Sequence, residues 1–255
     1  MFVQGGTKGM GLAAAECFAE EGARVAVLAR GQAGIDAALP RLTELGAAEV
    51  IGLAADITQD VQIEAAFSQV QQRWGELNVL VNAAGSTVAG GFESLRDSDW
   101  LTSVDLVAMG MIRCVRAALP LLRLAEWARI VNVAAISPKR QTPGLVAYTA
   151  AKAMVTSVTK NLSQSLAPEA ILVNTVSPGP FVTSEIGQIL ESEGVDPNDL
   201  HASMDYLAKR YGHPSQLQRM GAASEIGPVI AFLASRRNSY MTGANVNVDG
   251  GTDFC

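Results

Sequence analysis

Phe2-Val3-Gln4-Gly5-Gly6-Thr7-Lys8-Gly9-Met10-Gly11-Leu12 opens the chain, and the reading of this stretch decides the fold. Its apolar start reads as a strand, and a helical pattern begins at Leu12. Between them the glycines allow a tight turn whose backbone can approach a pyrophosphate, with the phosphate charge met by the helix N-terminus. A glycine cluster alone says little. Set between a strand and a helix at the head of a βαβ unit, it has the context that dinucleotide binding requires. The turn lacks a Gly-Lys-Ser/Thr ending, which excludes a mononucleotide P-loop.

Working outward, short apolar runs recur at Val25–Ala29, Val50–Ala54, Val79–Val81, Ile130–Val133, Ile171–Val176 and Val246–Val248. Helical patterns alternate with them. Leu12–Glu21 closes on Gly22 and Val61–Trp74 closes on Gly75, each glycine standing just past a helix end. This alternation implies an α/β fold, a Rossmann-type doubly wound parallel sheet with helices on both faces. The composition agrees: 49% of the 255 residues are hydrophobic and only 17% charged, as a sheet covered on both faces needs. No Pro-, Ser- or charge-rich linker interrupts the chain, so residues 1–255 read as one domain.

One segment breaks the rhythm. Ser184–Ser215 is long, polar and acid-rich, and carries His201, His213, Tyr206 and Tyr211. An excursion of that length between strands reads as a substrate lid; the plainer alternative is a solvated helix pair. The two histidines lack a third partner at metal-binding spacing, so no metal is expected.

A formal net charge of −6 argues against nucleic acid or an anionic membrane surface as partner. Cys17, Cys114 and Cys255 are widely spaced and form neither a disulfide framework nor a zinc pattern, which fits a reducing cytoplasm. Neither a signal peptide nor a membrane span is read from the apolar runs, which are short and interrupted. Met109 and Met111 read as core filler.

Cofactor choice is legible at the second strand. An enzyme for NAD would place Asp or Glu at its end to hold the ribose hydroxyls; this chain has Ala29 and then Arg30. With Lys8 inside the glycine turn, two cations and no carboxylate suit a 2′-phosphate, hence NADP(H). Further on, Tyr148 and Lys152 stand four apart in the helical pattern Tyr148–Leu166, on one face. A neighbouring ammonium is expected to lower the tyrosine pKa, making the pair a proton donor and acceptor for a carbonyl or alcohol oxygen.

Taken together these motifs make the chain resemble the short-chain dehydrogenase/reductase family in its compact single-domain form. The match runs through Gly5-x-x-x-Gly9-x-Gly11, Asp56-Ile57, Asn82-Ala83-Ala84-Gly85, Tyr148-x-x-x-Lys152, Asn174, Pro178-Gly179, Thr183, Thr242-Gly243 and Asp249-Gly250-Gly251. The resemblance implies that Asp56 contacts the adenine, with Ile57 beside it, and that Asn82–Gly85 stabilises the sheet next to the cofactor. It implies that Lys152 holds the nicotinamide ribose, and that Pro178-Gly179, Phe181 and Thr183 border the carboxamide. Thr7, Lys8, Met10 and the turn glycines complete the implied cofactor site. A homotetramer or homodimer is also implied.

Three departures from the family pattern stand out. Gln4 replaces the usual Thr before the glycine turn, and the first strand nearly begins at Met1. Val107 stands where the family keeps a catalytic Asn, and Ala135 where it keeps the Ser that polarises the carbonyl. Ser137 is the nearest hydroxyl; strand periodicity would aim it the same way as Ala135, and a loop starting at Pro138 would turn it away. The leading expectation is therefore an active NADP(H)-dependent ketone/aldehyde–alcohol oxidoreductase. The alternative is a dinucleotide-binding protein with weak or no catalysis. Phe92, Leu145, Phe181 and the 184–215 segment are candidates to line an apolar pocket for a small to medium, partly hydrophobic substrate.

Overall fold

The computed structural model describes residues 1–212 and 214–254; the expectations for His213 and Cys255 lie outside the described residues. The chain runs β1 (Phe2–Gln4), α1 (Gly9–Glu20), β2 (Arg24–Ala29), α2 (Gln32–Glu44), β3 (Glu49–Ala54), α3 (Asp60–Trp74) and β4 (Val79–Asn82). It continues with α4 (Asp97–Ser103), which passes through a π-helical stretch (Val104–Met109) into α5 (Gly110–Leu122), then β5 (Ala128–Val133) and α6 (Val146–Leu166). After β6 (Ile171–Pro178) come β7 (Phe181–Val182), α7 (Ser184–Ser192), α8 (Leu200–Tyr211), β8 (Gly221–Ala222), α9 (Ala223–Ala234) and β9 (Asn245–Val248).

Seven strands form one all-parallel sheet in the order β3-β2-β1-β4-β5-β6-β9, and β7 pairs with β8 apart from it. This is the doubly wound arrangement that the alternating pattern implies. Its strand order reverses between β1 and β4, and ligands bind doubly wound sheets at that switch point, beyond the carboxyl ends of the strands.

Burial explains why these strands read as continuous apolar runs. Every residue of β1, β4 and β5 is buried, because both sheet faces are covered. On one face, α3, α5 and α6 pack through Ile63, Phe67, Val70, Met111, Val115, Ala151 and Val155 onto Phe2, Leu80 and Ile130. On the other, α1 and α9 pack through Ala14, Phe18, Ile226 and Ile230 onto Val3, Val81 and Val131. Successive strand residues feed opposite cores, the two-residue period of a pleated strand.

Boundaries fall within a few residues of those read from sequence. The π-helical stretch was not legible there, since an extra residue per turn slips the 3.6-residue pattern that marks a helix. It is held from outside: the Arg113 guanidinium donates to the Asp105 carbonyl (3.4 Å), to its carboxylate (2.6 Å) and to the Ile57 carbonyl (3.3 Å).

Helices α1 and α9 approach so closely that a β-carbon on Gly227 would lie 2.7 Å from the Ala13 carbonyl oxygen. Neither backbone can give way inside a helix pair. Gly227→Ala should therefore lower stability by about 1–3 kcal/mol, the usual cost of overpacking, read as a fall in the urea midpoint at unchanged slope.

Candidate active site

The glycine turn leaves β1 at the switch point. Gly5 has φ +77°, and a β-carbon there would stand 2.7 Å from the Ala84 nitrogen beyond β4; one on Gly11 would meet the Gly5 carbonyl oxygen at 2.2 Å. Only glycine fits either place. Gln4, 1% exposed, turns its amide across the same gap and accepts the Ala84 N–H at 2.9 Å. The departure at Gln4 is thus a working part, tying the turn to the Asn82–Gly85 segment. Helix α1 begins at Gly9 with Lys8 as its N-cap and no side chain bonding its first N–H groups. Those donors, the helix dipole and the bare glycine backbone together make a seat for an anionic group such as a diphosphate.

At the far end of β2, Arg30 is exposed, and its charge reaches Asp56. The Asp56 carboxyl is held below its ordinary range chiefly by the Thr58 N–H (2.9 Å), then by the Thr58 hydroxyl, with Arg30 and Arg113 adding. Ile57 is buried against Gly110, where any β-carbon would lie 2.7 Å from it. Thr7 lies near the start of α2, 3.3 Å from where a Gly34 β-carbon would be. Lys8 does not stand free. Its ammonium meets the Glu185 carboxylate at 2.9 Å.

Helix α6 delivers the pair Tyr148 and Lys152. Its buried stripe is Ala147, Ala151, Lys152, Val155, Thr159, Ser163 and Leu166, so helical period sets Lys152 on the sheet-facing side among apolar neighbours. The ammonium donates to the Val133 carbonyl at 2.7 Å and lies 5.6 Å from the centre of the Tyr148 ring. Gly85 leaves room for it: a β-carbon there would be 3.5 Å from Lys152 Nζ and 3.8 Å from Val107 Cγ2. Burial pushes Lys152 down to about 8. It also pushes Tyr148 up to about 12, with the Glu185 carboxylate adding. The expectation that the ammonium lowers the tyrosine is not met, because burial penalises the phenolate and the Glu185 carboxylate adds to it.

Beyond β6, Gly179 fits against Asp249, whose α-carbon would be 2.6 Å from a β-carbon at Gly179, and Pro178 ends the strand beside Val248. Thr183 caps α7, its hydroxyl accepting the Ile186 N–H, and its side chain faces Gly9 across the turn at 3.7 Å from the β-carbon position. Met10, partly buried, packs beside the core on the α1 side. The residues named from sequence for the cofactor site therefore lie along the carboxyl edge of the sheet. Phe181 is 6% exposed, and its ring lies against the space over Gly221. Phe92 is exposed and meets Trp100 edge-on, while Gly90 and Leu145 bridge beside Tyr148.

With this geometry in view, the likenesses to known proteins are informative. Residues 5–253 match the family model described as Enoyl-(Acyl carrier protein) reductase. The chain belongs to the short-chain dehydrogenase/reductase family. Over 251 residues it is 29% identical to the 3-oxoacyl-[acyl-carrier-protein] reductase FabG of Haemophilus influenzae, covering 98% of this chain and 96% of that one. A variant of the actinorhodin polyketide ketoreductase with NADPH shares 31% identity at a TM-score of 0.89, covering 100% and 97%. An NADPH-bound short-chain oxidoreductase of Pseudomonas aeruginosa PAO1 with an atypical catalytic center shares 29% at 0.89, covering 98% and 95%.

In this short-chain dehydrogenase/reductase, Val107 and Ala135, read from sequence as departures from the family pattern, are both buried. Val107 sits in the π-helical stretch, 2% exposed, and offers no polar atom to Lys152. Ala135 is 8% exposed at the end of β5. The β5–β6 ladder persists to the Ile136 N–H, which donates to the Pro178 carbonyl; then the Lys139 and Arg140 N–H groups both close on the Ile136 carbonyl. Ser137 lies inside that turn, its hydroxyl sealed from solvent and without a partner among the described residues. The turn starts two residues before the loop expected at Pro138, and strand periodicity no longer aims Ser137. Helices α7 and α8 occupy most of the acid-rich segment, and His201 Nδ1 pairs with the Gln218 carbonyl at 2.8 Å.

Sequence reasoning missed Glu185 and Arg113, whose partners lie far along the chain, and a buried polar ladder from Asn82 through Asn132 to Thr159 at 2.8 and 2.9 Å. Paired polar residues at the ends of β4 and β5 were its only trace.

The lowered Lys152 pKa carries a testable sign. Between about 8 and the ordinary 10.5 the unfolded chain binds the proton that the folded chain has lost, so native stability rises with pH there. Relative to Lys152→Met, which has no such group, the parent should gain roughly 1–3 kcal/mol between about pH 7 and 10.5. Urea denaturation of both proteins without cofactor measures it; a pH-independent gap refutes it.

Proposed function

We propose that this short-chain dehydrogenase/reductase uses NADP(H) to interconvert a ketone or aldehyde with its alcohol, on a small to medium, partly hydrophobic substrate. The observation that carries the reading is the convergence of Tyr148 and Lys152 with the bare glycine turn at the sheet's switch point. The chain's own residues fit the cofactor. The seat formed by Gly5, Gly9 and Gly11 at the α1 N-terminus takes the diphosphate, Asp56 and Ile57 take the adenine, and Asn82–Gly85 runs beneath it. Arg30 and Lys8 take the 2′-phosphate, while Pro178, Gly179 and Thr183 take the carboxamide end. When bound, NADPH supplies the hydride.

Tyr148 supplies the proton. Its raised pKa keeps the phenol protonated at neutral pH, the form needed to donate a proton to a carbonyl oxygen when the carbonyl carbon takes up hydride. The Lys152 ammonium, next to the ring, favours the phenolate left behind and stands where a ribose hydroxyl can replace the Val133 carbonyl as its partner. Neither Ala135 nor Val107 can add a donor at the oxygen, so the proton transfer rests on this pair.

The 184–215 segment serves as the lid of one domain, supported by the root of α7 at the glycine turn. A homodimer or homotetramer fits the exposed Leu101 on α4, beside the open cleft of Val104, Asp105 and Met109. A cytoplasmic setting agrees with the free Cys17 and with Cys114, which is buried and pushed up to about 12.

Oxidation of NADPH with a panel of ketones tests the activity. Tyr148→Phe keeps the ring and removes the proton, so turnover should fall roughly 10²–10⁴-fold with NADPH binding nearly unchanged. A variant as fast as the parent moves the chemistry elsewhere.

The missing donor has its own test. Ala135→Ser restores a hydroxyl at the end of β5, and should speed turnover by up to about 10², the lower range for one donor aimed at a developing oxyanion. Ser137→Ala should leave turnover where it was. Loss of activity in that variant would show that Ser137 reaches the substrate after all.

A further inference from the structure

The Lys8–Glu185 ion pair joins two segments 177 residues apart in sequence, the glycine turn and the first turn of α7. Beside it the Thr183 side chain packs 3.7 Å from the β-carbon position of Gly9. Glu185 therefore stands at the Lys8 side of the glycine turn, and lies near enough to Tyr148 for its charge to be felt there. The fold does not need the pair. Its side chains are 62% and 54% exposed, and an ion pair so exposed adds little stability. What Glu185 provides is a carboxylate at a lysine that caps a helix N-terminus, where any anion is favoured.

We propose that Glu185 is a specificity-determining residue, whose carboxylate holds Lys8 in the cofactor-free protein and yields it only to a cofactor that brings a phosphate of its own. The inference rests on the NADP(H) reading above. A 2′-phosphate exchanges one ion pair for another at Lys8 and releases Glu185 to water, untying α7 from the glycine turn. A cofactor without that phosphate leaves the pair intact. Glu185 thus weakens NADP(H) selectively and sets how far the enzyme can discriminate.

Binding titrations test this without turnover. NADPH, NADH and adenosine 2′,5′-bisphosphate are titrated at low salt by protein fluorescence against the parent, Glu185→Gln, Lys8→Gln and the double variant. Glu185→Gln should tighten NADPH and the bisphosphate roughly two- to five-fold, the range of an exposed ion pair, and leave NADH unchanged. The gain should shrink in high salt and vanish in the Lys8→Gln background. Equal tightening of NADH and NADPH, or a gain that survives Lys8→Gln, overturns the proposal. So does a parent that prefers NADPH while Glu185→Gln changes nothing; in that case the cofactor reading stands. A parent that binds both cofactors equally overturns the cofactor reading, and this inference with it.

Discussion

Between the carboxyl ends of β1 and β4 the two backbones pass so closely that a methyl group on Gly5 would stand 2.7 Å from the Ala84 nitrogen. The site depends on that approach. It lets the Gln4 amide span the gap to the Ala84 N–H, and lets the turn roll directly into α1 with its first donors bare. The same narrow crossing lies where the strand order reverses, so helices on opposite faces diverge and leave a cleft between them. Larger residues at Gly5 or Gly11 would push the turn off the sheet and close the cleft at its base.

Against this rigid floor, α6 holds two groups whose proton affinities burial has moved apart, each toward its neutral form. Desolvation brings the tyrosine up and the lysine down, by burial rather than by mutual attraction, while the lysine keeps the Val133 carbonyl as its partner. Such a lysine in a core stripe costs stability, and the position makes physical sense only if the ammonium acts on something delivered to it. Apolar Val107 and Ala135 around it reduce the number of polar groups sharing that work.

The fold was legible because both cores impose local periods. Val79–Val81 and Ile130–Val133 are apolar without interruption since each side of the sheet is covered, and Leu12 and Val61 begin patterns that only helices repeat. The candidate site was legible where a motif is contiguous, as at Gly5–Gly11 or Tyr148–Lys152. It was not legible where the contact is made by folding. Lys8 looks free in sequence and is paired with Glu185. Ser137 has the right spacing from Ala135 for a strand, but the carbonyl of Ile136 captures two N–H groups and bends the chain first. Gln4 appeared only as a departure, because nothing local tells that its amide will meet a backbone 80 residues on.

The π-helical turns at Val104–Met109 constrain length more tightly than composition. One residue more than an α-helix would use rotates everything beyond Met109 by about 100° around the axis. That rotation is what brings Gly110 against Ile57 and swings Arg113 back onto the Asp105 and Ile57 carbonyls. Substitutions on the outer face of this segment leave the phase of the helix alone. Loss of a single residue would restore a regular helix and unhook the corner of the sheet that carries Asp56, so this stretch can drift in sequence yet must keep count.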